Sequence, residues 1–285
     1  MSAAAGAAHF DWRVERIAPG ESAAAWQGAL AGFDEASARV LKRDGADVVL
    51  AATVSGREVV VKGWLLGTLW ARVKHRARGS RAWRQWRGAE LLRGAGIGTP
   101  ACYAVVTERG AAGVRAWLVM ERVEGRSVLE HLAAGDLSAR QEHAVARAIG
   151  GMLRGLVRAG VHNRDGKPSN VIVTGFDAAG EARVAVIDTV GVRRRRADVV
   201  EMMKNLCMEA MGHGCMARRG LRMRVVREVV GAPSGRLRRP PPPEGEEREM
   251  WRAVGERIEG HGDPMPRVDM LSDARESGGR EDSRR

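Results

Sequence analysis

Asp165, Lys167 and Asn170 stand at relative positions 0, +2 and +5 in GVHNRDGKPSNVIV, residues 160–173. Eighteen residues after Asn170, at the end of the apolar run VAVID, comes Asp188. Two carboxylates, a carboxamide and an ammonium group suit the transfer of a phosphoryl group to a hydroxyl. Asp165 would orient the hydroxyl and take up its proton. Lys167 would neutralise charge on the moving phosphoryl group. Asn170 and Asp188 would offer hard oxygen ligands to Mg²⁺. Upstream, Lys62 ends the alternating stretch REVVVK, where an ammonium group could reach nucleotide phosphates. A plainer reading stands beside each of these. Pro168-Ser169-Asn170 is turn chemistry, and Asp165 could simply cap a polar turn. Lys62 could be a solvated strand end.

The elements that must position these residues follow from the pattern around them. ARVLKRD, VVLAATV and REVVVKGW read as three short strands joined by tight turns from Ala38 onward. A basic stretch follows, with a helix predicted from Gly79-Ser80 to Gly94 or Gly96. ACYAVVTE and VRAWLVMERV read as two further strands around the turn at Arg109–Gly113. From Gly125 the period changes. SVLEHLAAG predicts a short helix and LSARQEHAVARAIGGMLRGLVRAG a longer one, with Val145, Ile149, Met152, Leu153 and Leu156 on one face. NVIVTG and RVAVID read as strands, and helices are predicted near Ala197–Met211 and Arg222–Val230. Residues 1–37 are Ala-rich, with one helix expected near Ser22–Phe33 and no chemistry assigned. Pro240–Pro243 is expected to end the compact region. Residues 233–285 read as a Pro-rich, charged and disordered tail carrying one helix near Glu246–Ile258.

Composition narrows the partners. The 285 residues hold 47 Lys plus Arg against 35 Asp plus Glu, a net charge of +12, which favours an anionic partner without choosing one. Three cysteines, Cys102, Cys207 and Cys215, form no disulfide framework and suit a reducing compartment. No signal peptide and no membrane-spanning run is read. Cys207, His213 and Cys215 fit no zinc spacing and read as thiols packed in the interior. His162 reads as a histidine packing the loop. Trp64, Trp70, Trp83, Trp86 and Trp117 are interleaved with Arg72, Lys74, Arg76, Arg78, Arg81, Arg84 and Arg87. Core tryptophans, a membrane-interface patch and, least favoured, a nucleic-acid platform all fit that pattern. Arg193–Arg196 reads as a solvated loop that could face an anionic acceptor or a regulatory phosphate.

Taken together, RDGKPSN, VVVKGW, IDTVGVRRRR followed by ADVVEMMKNL, WRGAELLRGAGIGTP and WLVMERVEG resemble the protein-kinase-like fold. More narrowly, they are similar to the lipopolysaccharide kinase (Kdo/WaaP) family over roughly Ala38–Val230. The resemblance implies an α+β, two-lobed fold. Residues 38–123 would form an N-lobe with a small antiparallel sheet, and 124–232 a short helical C-lobe. It implies ATP and Mg²⁺ as cofactors. Asp165 and Lys167 would be catalytic, and Asn170 and Asp188 would hold the metal. Lys62 would hold phosphates, with Glu90 as its helix partner, and the backbone of Glu121 and Val123 would meet adenine. The implied acceptor is a sugar hydroxyl of lipopolysaccharide core, an anionic glycolipid. The implied location is cytoplasmic, with peripheral contact at the inner face of the inner membrane. The same residues would serve a kinase of proteins or other small molecules, and a pseudokinase binding module is the other alternative. The sequence departs from the kinase pattern at Asn163, where His is usual, and at Gly166. The Asp-Phe-Gly position reads Asp188-Thr189-Val190, with Gly191 one place late, and only Gly45 stands where a glycine-rich loop is expected.

Overall fold

A computed structural model describes residues 11–31, 33, 37–66, 79–110, 113–212, 217–231 and 244–259. The chain divides into two units, Met1–Glu90 with Pro100–Arg122 and Leu91–Thr99 with Val123–Arg285.

The first unit is built on one antiparallel sheet of six strands in the order β1-β5-β6-β4-β3-β2. These are β1 (Asp11–Ile17), β2 (Arg39–Asp44), β3 (Asp47–Val54), β4 (Arg57–Leu66), β5 (Cys102–Gly110) and β6 (Gly113–Glu121). Alternation along β4 sends Val59, Val61 and Gly63 to one face and Val60, Lys62 and Trp64 to the other. Helix α1 (Ala23–Ala31) covers the first face, where Trp26 and Leu30 join Leu50, Val61 and Val119. Helix α2 (Arg81–Gly94) covers the second with Ala82, Trp86 and Ala89 against Trp64, Val105 and Leu118. Gly63 is glycine because a Cβ there would lie 2.5 Å from the ring of Trp117.

Two expectations change here. The N-terminal segment is not only an Ala-rich extension with a helix. Its DWRVERI forms β1, paired with β5 at the register Val14↔Val106. Charged residues interrupt its apolar pattern, so the strand is held by backbone pairing at the sheet edge. Trp64, Trp86 and Trp117 are buried in the core, and half-buried Trp83 stacks beneath Arg16, so these four form no exposed platform for membrane or nucleic acid. Trp70, Arg72, Lys74, Arg76 and Arg78 lie outside the described residues.

In the second unit, α3 (Val128–Ala134) and α4 (Ala139–Arg158) each begin with a capping box, Ser127 with Glu130 and Ser138 with Gln141. Val145, Ile149, Met152, Leu153 and Leu156 of α4 are all buried, as their period predicts. They pack with α5 (Val199–Gly212), α6 (Arg219–Val230) and α7 (Glu244–Glu259). Strands β7 (Arg126–Ser127), β9 (Val171–Phe176) and β10 (Ala182–Val186) form a sheet in the order β10-β9-β7, and β8 (Val161–Asn163) pairs with β11 (Val192–Arg194). Helix α7 stands where a helix is expected, near Glu246–Ile258, but it packs into the core instead of lying in a disordered tail. Met250, Trp251, Val254 and Ile258 recur on one helical face, and Trp251 and Val254 are fully buried in the core. Pro240–Pro243 and residues 260–285 lie outside the described residues.

Candidate active site

The short ladder of β8 with β11 brings two loops of the second unit together. Asn163 pairs with Val192, and the Arg164 N–H donates to the Gly191 carbonyl at 3.3 Å. Asn163 is buried, and its Oδ1 accepts the N–H of Asp165 at 3.1 Å. The residue that departs from the usual His therefore acts as a short Asx-type brace, fixing the backbone at Asp165. His162 is also buried. Its Nδ1 accepts the N–H of Asp198 at 3.3 Å, tying β8 to the start of α5. Burial, with the nearby charge of Arg195, holds the His162 pKa below its ordinary 6.5, so the ring is neutral. The structural reading of His162 is the one these contacts support.

Downstream of Asp165 the loop closes on itself. The Asp165 carbonyl accepts both the Lys167 N–H and the Asn170 side-chain N–H, each at 2.9 Å. A 3-10 turn over Pro168–Asn170 follows, and the Asn170 carbonyl accepts the N–H of Ile187 at 3.0 Å. That bond sets Asp188 beside Asn170 along the backbone. The Asn170 amide nitrogen is used on the loop, while its Oδ1 makes no hydrogen bond among the described residues. The Asp188 Oδ1 accepts from Val190 at 3.3 Å, and its second oxygen has no hydrogen-bond partner among the described residues. Asp188 is half-buried, and so is Asp165; Lys167 is exposed.

Strand β10, which leads to Asp188, is held from its other side. The Val186 N–H donates to the Gly98 carbonyl at 2.9 Å, and the Thr99 hydroxyl donates to the Val186 carbonyl at 2.8 Å. A Cβ at Gly98 would lie 2.5 Å from the Val184 carbonyl oxygen, which accounts for glycine in GIGTP.

Three contributors escaped the sequence reading. Arg164 donates to both oxygens of Asp165, at 3.2 and 3.3 Å. This pair, with Asp188 near, raises the Arg164 pKa. The carbonyl of Arg164 in turn accepts from Asn205 of α5 at 2.6 Å. A Cβ at Gly191 would fall 2.3 Å from the Asp165 carboxylate oxygen, so only a hydrogen atom fits there. The late glycine is thus a requirement of Asp165 itself. Its position relative to Asp188 hid this, because no spacing rule links residue 191 to residue 165.

The remaining predicted residues lie elsewhere. Lys62 is half-buried on β4, paired with Leu118 and on the sheet face that carries α2. Glu90, expected beside Lys62, is exposed, and its carboxylate faces Arg16 of β1 at 3.9 Å. The sequence does not signal this, because the charged residues of DWRVERI hide the strand that carries Arg16. Glu121 ends β6, with its N–H donating to Ala101 and its side chain accepting from the Ala101 N–H at 2.9 Å. The N–H of Val123 makes no hydrogen bond among the described residues. Cys207 is a buried thiol, its pKa pushed up to about 12 by burial; His213 and Cys215 lie outside the described residues.

The second unit also holds an apolar cavity, an empty space of about 830 Å³ that is partly open to solvent. Leu132, Ile149, Leu206, Cys207, Val225 and Trp251 are among its walls. Among the described residues, no helix is long and apolar enough to cross a membrane.

The antiparallel sheet of the first unit and the helical second unit match a solved structure of WaaP in complex with acyl carrier protein. The identity is 20%, the match covers 78% of this chain and 86% of that chain, and the TM-score is 0.54. The crystal structure of Rad53 1-466 in complex with AMP-PNP is also similar, at 17% identity over 79% of this chain and 51% of that one, with a TM-score of 0.43. No curated protein sequence matches. The fold is protein-kinase-like and two-lobed, α+β as the motifs imply. The profile of the lipopolysaccharide kinase (Kdo/WaaP) family matches residues 24–211, and the chain belongs to that family. It is accordingly a kinase, a sugar-directed phosphotransferase that uses ATP and Mg²⁺. The residues present fit the metal. The free Oδ1 of Asn170 and the free oxygen of Asp188 are hard oxygen donors joined through the Ile187–Asn170 hydrogen bond.

Proposed function

We propose that Asp165, Lys167, Asn170 and Asp188 carry the transfer of the ATP γ-phosphoryl group to a sugar hydroxyl of lipopolysaccharide core. The observation that supports this most is the use of the Asn170 amide. Its nitrogen is committed to the Asp165 carbonyl, so the same side chain braces the residue that orients the acceptor and presents its oxygen to the metal. Asn170 and Asp188 would hold Mg²⁺, which supplies charge neutralisation at the nucleotide phosphates when bound. Asp165 orients the acceptor hydroxyl and receives its proton at a carboxylate oxygen. For this the Arg164 fork, 62% exposed on its own side chain, gives up part of its grip as the acceptor enters. Exposed Lys167 is free to approach the transferring group and offset its charge. Lys62 holds the α- and β-phosphates, and the open N–H of Val123 together with the backbone at Glu121 receives adenine. Glu90 is left out of this set because its carboxylate faces Arg16.

The acceptor is an anionic glycolipid, so the kinase works in the cytoplasm and meets its acceptor peripherally, at the inner face of the inner membrane. The test is transfer of labelled γ-phosphate from ATP to lipopolysaccharide core prepared from a kinase-deficient strain. Wild type should label the core sugar. Asp165→Ala should lose about 10²–10⁴-fold in rate with an unchanged melting temperature. Labelling at the wild-type rate by the variant would refute the role of Asp165.

A second partner is favoured by the apolar cavity of the helical unit. The solved relative was captured with acyl carrier protein. An acyl chain is a fitting occupant for walls such as Ile149, Leu206 and Trp251. We propose that this chain also binds an acyl carrier protein. Filling the cavity with Ile149→Phe should weaken binding of the acylated carrier and leave the unacylated carrier unaffected. Equal binding of both carriers by wild type would exclude the cavity as the acyl site.

A further inference from the structure

Four consecutive arginines, Arg193 to Arg196, follow Gly191 and Val192 directly. All four are exposed, and none of their guanidinium groups makes a hydrogen bond or ion pair among the described residues. This is unlike their neighbours in the same unit. Arg126 is spent on Asp136, Arg147 on Glu181, Arg154 on Glu228 and Arg257 on Glu201. The backbone of the run, by contrast, is fixed. Arg193 lies across from His162, Arg194 across from Val161, and the Arg195 N–H donates to the Gly160 carbonyl at 3.0 Å. The run is therefore anchored to the strand that leads into Asp165. His162 is three residues before Asp165, a separation of at most about 10 Å even in extended chain. The charge of Arg195 is felt at that strand: after burial, it is the largest influence that lowers the pKa of His162, with Asp198 and Glu201 acting the other way.

Four cations on an anchored backbone beside an acceptor-orienting carboxylate, none of them in an ion pair among the described residues, are suited to meet an external anion. Building on the kinase reading above, we propose that Arg193–Arg196 form an acceptor subsite. It would bind a phosphate or carboxylate group on the acceptor within a sugar residue or two of the hydroxyl that is phosphorylated. The strip would then select polyanionic acceptors and set their position, while the chemistry stays with Asp165.

The experiment pairs Arg193→Gln/Arg195→Gln with a control of equal charge change elsewhere, Arg43→Gln/Arg87→Gln. Core oligosaccharide binding is measured by calorimetric titration, and transfer kinetics are measured separately. The binding arm should show affinity reduced about ten-fold or more in the Arg193/Arg195 variant and little changed in the control. In the kinetic arm, acceptor KM should rise by a similar factor, with kcat and the KM for ATP within two-fold of wild type. Core oligosaccharide stripped of phosphates and with its carboxylates reduced should bind wild type and variant alike. Equal binding of intact oligosaccharide by wild type and the Arg193/Arg195 variant would overturn the subsite, as would an equal loss in the control. Because binding is read without turnover, a failure of wild type to transfer phosphate would refute the acceptor reading alone and leave the subsite judged by its own titration.

Discussion

Lys62 and Asp165 are held by two different kinds of structure. Lys62 sits on a strand paired on both sides, with Val49 on β3 and Leu118 on β6, and its direction follows from alternation along ten residues. Asp165 sits on a loop, and its position follows from single groups: the Asn163 side chain, the Arg164 fork, the Asn170 amide and the missing Cβ of Gly191. A sheet spreads the work of positioning over many equivalent hydrogen bonds. A loop concentrates it in a few residues. Damage to the sheet should therefore appear first as lost stability, and damage to the loop as lost activity.

Two glycines make the sharpest contrast. In Gly191→Ala the added carbon collides with the Asp165 carboxylate, and the carboxylate must move. A misplacement of about 1 Å costs on the order of 10²-fold in rate, so kcat should fall by that much while the urea midpoint changes little. In Gly63→Ala the carbon meets the Trp117 ring beside Lys62. Overpacking of this kind costs about 1–3 kcal/mol of stability, and the protein that remains folded should keep most of its kcat. Reversal of these two outcomes would break the comparison.

Asn163 refines it further. Asn163→Ala leaves the half-buried Asp165 N–H without its acceptor and loosens the backbone that places the carboxylate, so kcat should fall about ten-fold. Asn163→Asp keeps an acceptor oxygen and should recover part of the lost kcat. A variant series in which Ala and Asp behave alike would show that the brace has no part in positioning Asp165.

The smallest effect concerns acid. The pKa of His162 lies below its ordinary 6.5, mainly through burial. The unfolded chain thus takes up a proton at a pH where the folded chain does not. Stability is fully present above about 6.5 and falls as pH drops towards the lower folded value. His162→Gln, which cannot be protonated, should flatten the fall in urea midpoint as pH drops below about 6.5. An unchanged slope would mean that other groups carry it.

The same contrast explains what could be read from the chain. Strands β2 to β6 of the first unit and the long helix α4 were legible because their periods are local and strong. Asp165, Lys167 and Asn170 were legible as a set because they fall within six residues. Gly191 was not, because its partner is twenty-six residues earlier and the contact exists only once β8 and β11 pair. Glu90 was assigned to Lys62 by analogy, whereas its neighbour Arg16 lies on a strand with little apolar signal. Helix α7 was legible near Glu246–Ile258, but its docking was not, because the charged residues around Trp251 and Val254 mask the face that is buried. The cavity beside Cys207 depends on how five helices and a turn meet, which no local pattern encodes.

The central claim is that Asn170 and Asp188 hold the metal that lets Asp165 act on an acceptor. The most direct measurement is acceptor-dependent turnover of Mg²⁺–ATP by wild type beside Asp188→Ala, with the fold of both checked by circular dichroism. The account predicts that wild type turns over and that the folded variant loses activity by a factor on the order of 10³. A folded Asp188→Ala variant that turned over within a few-fold of wild type would contradict it.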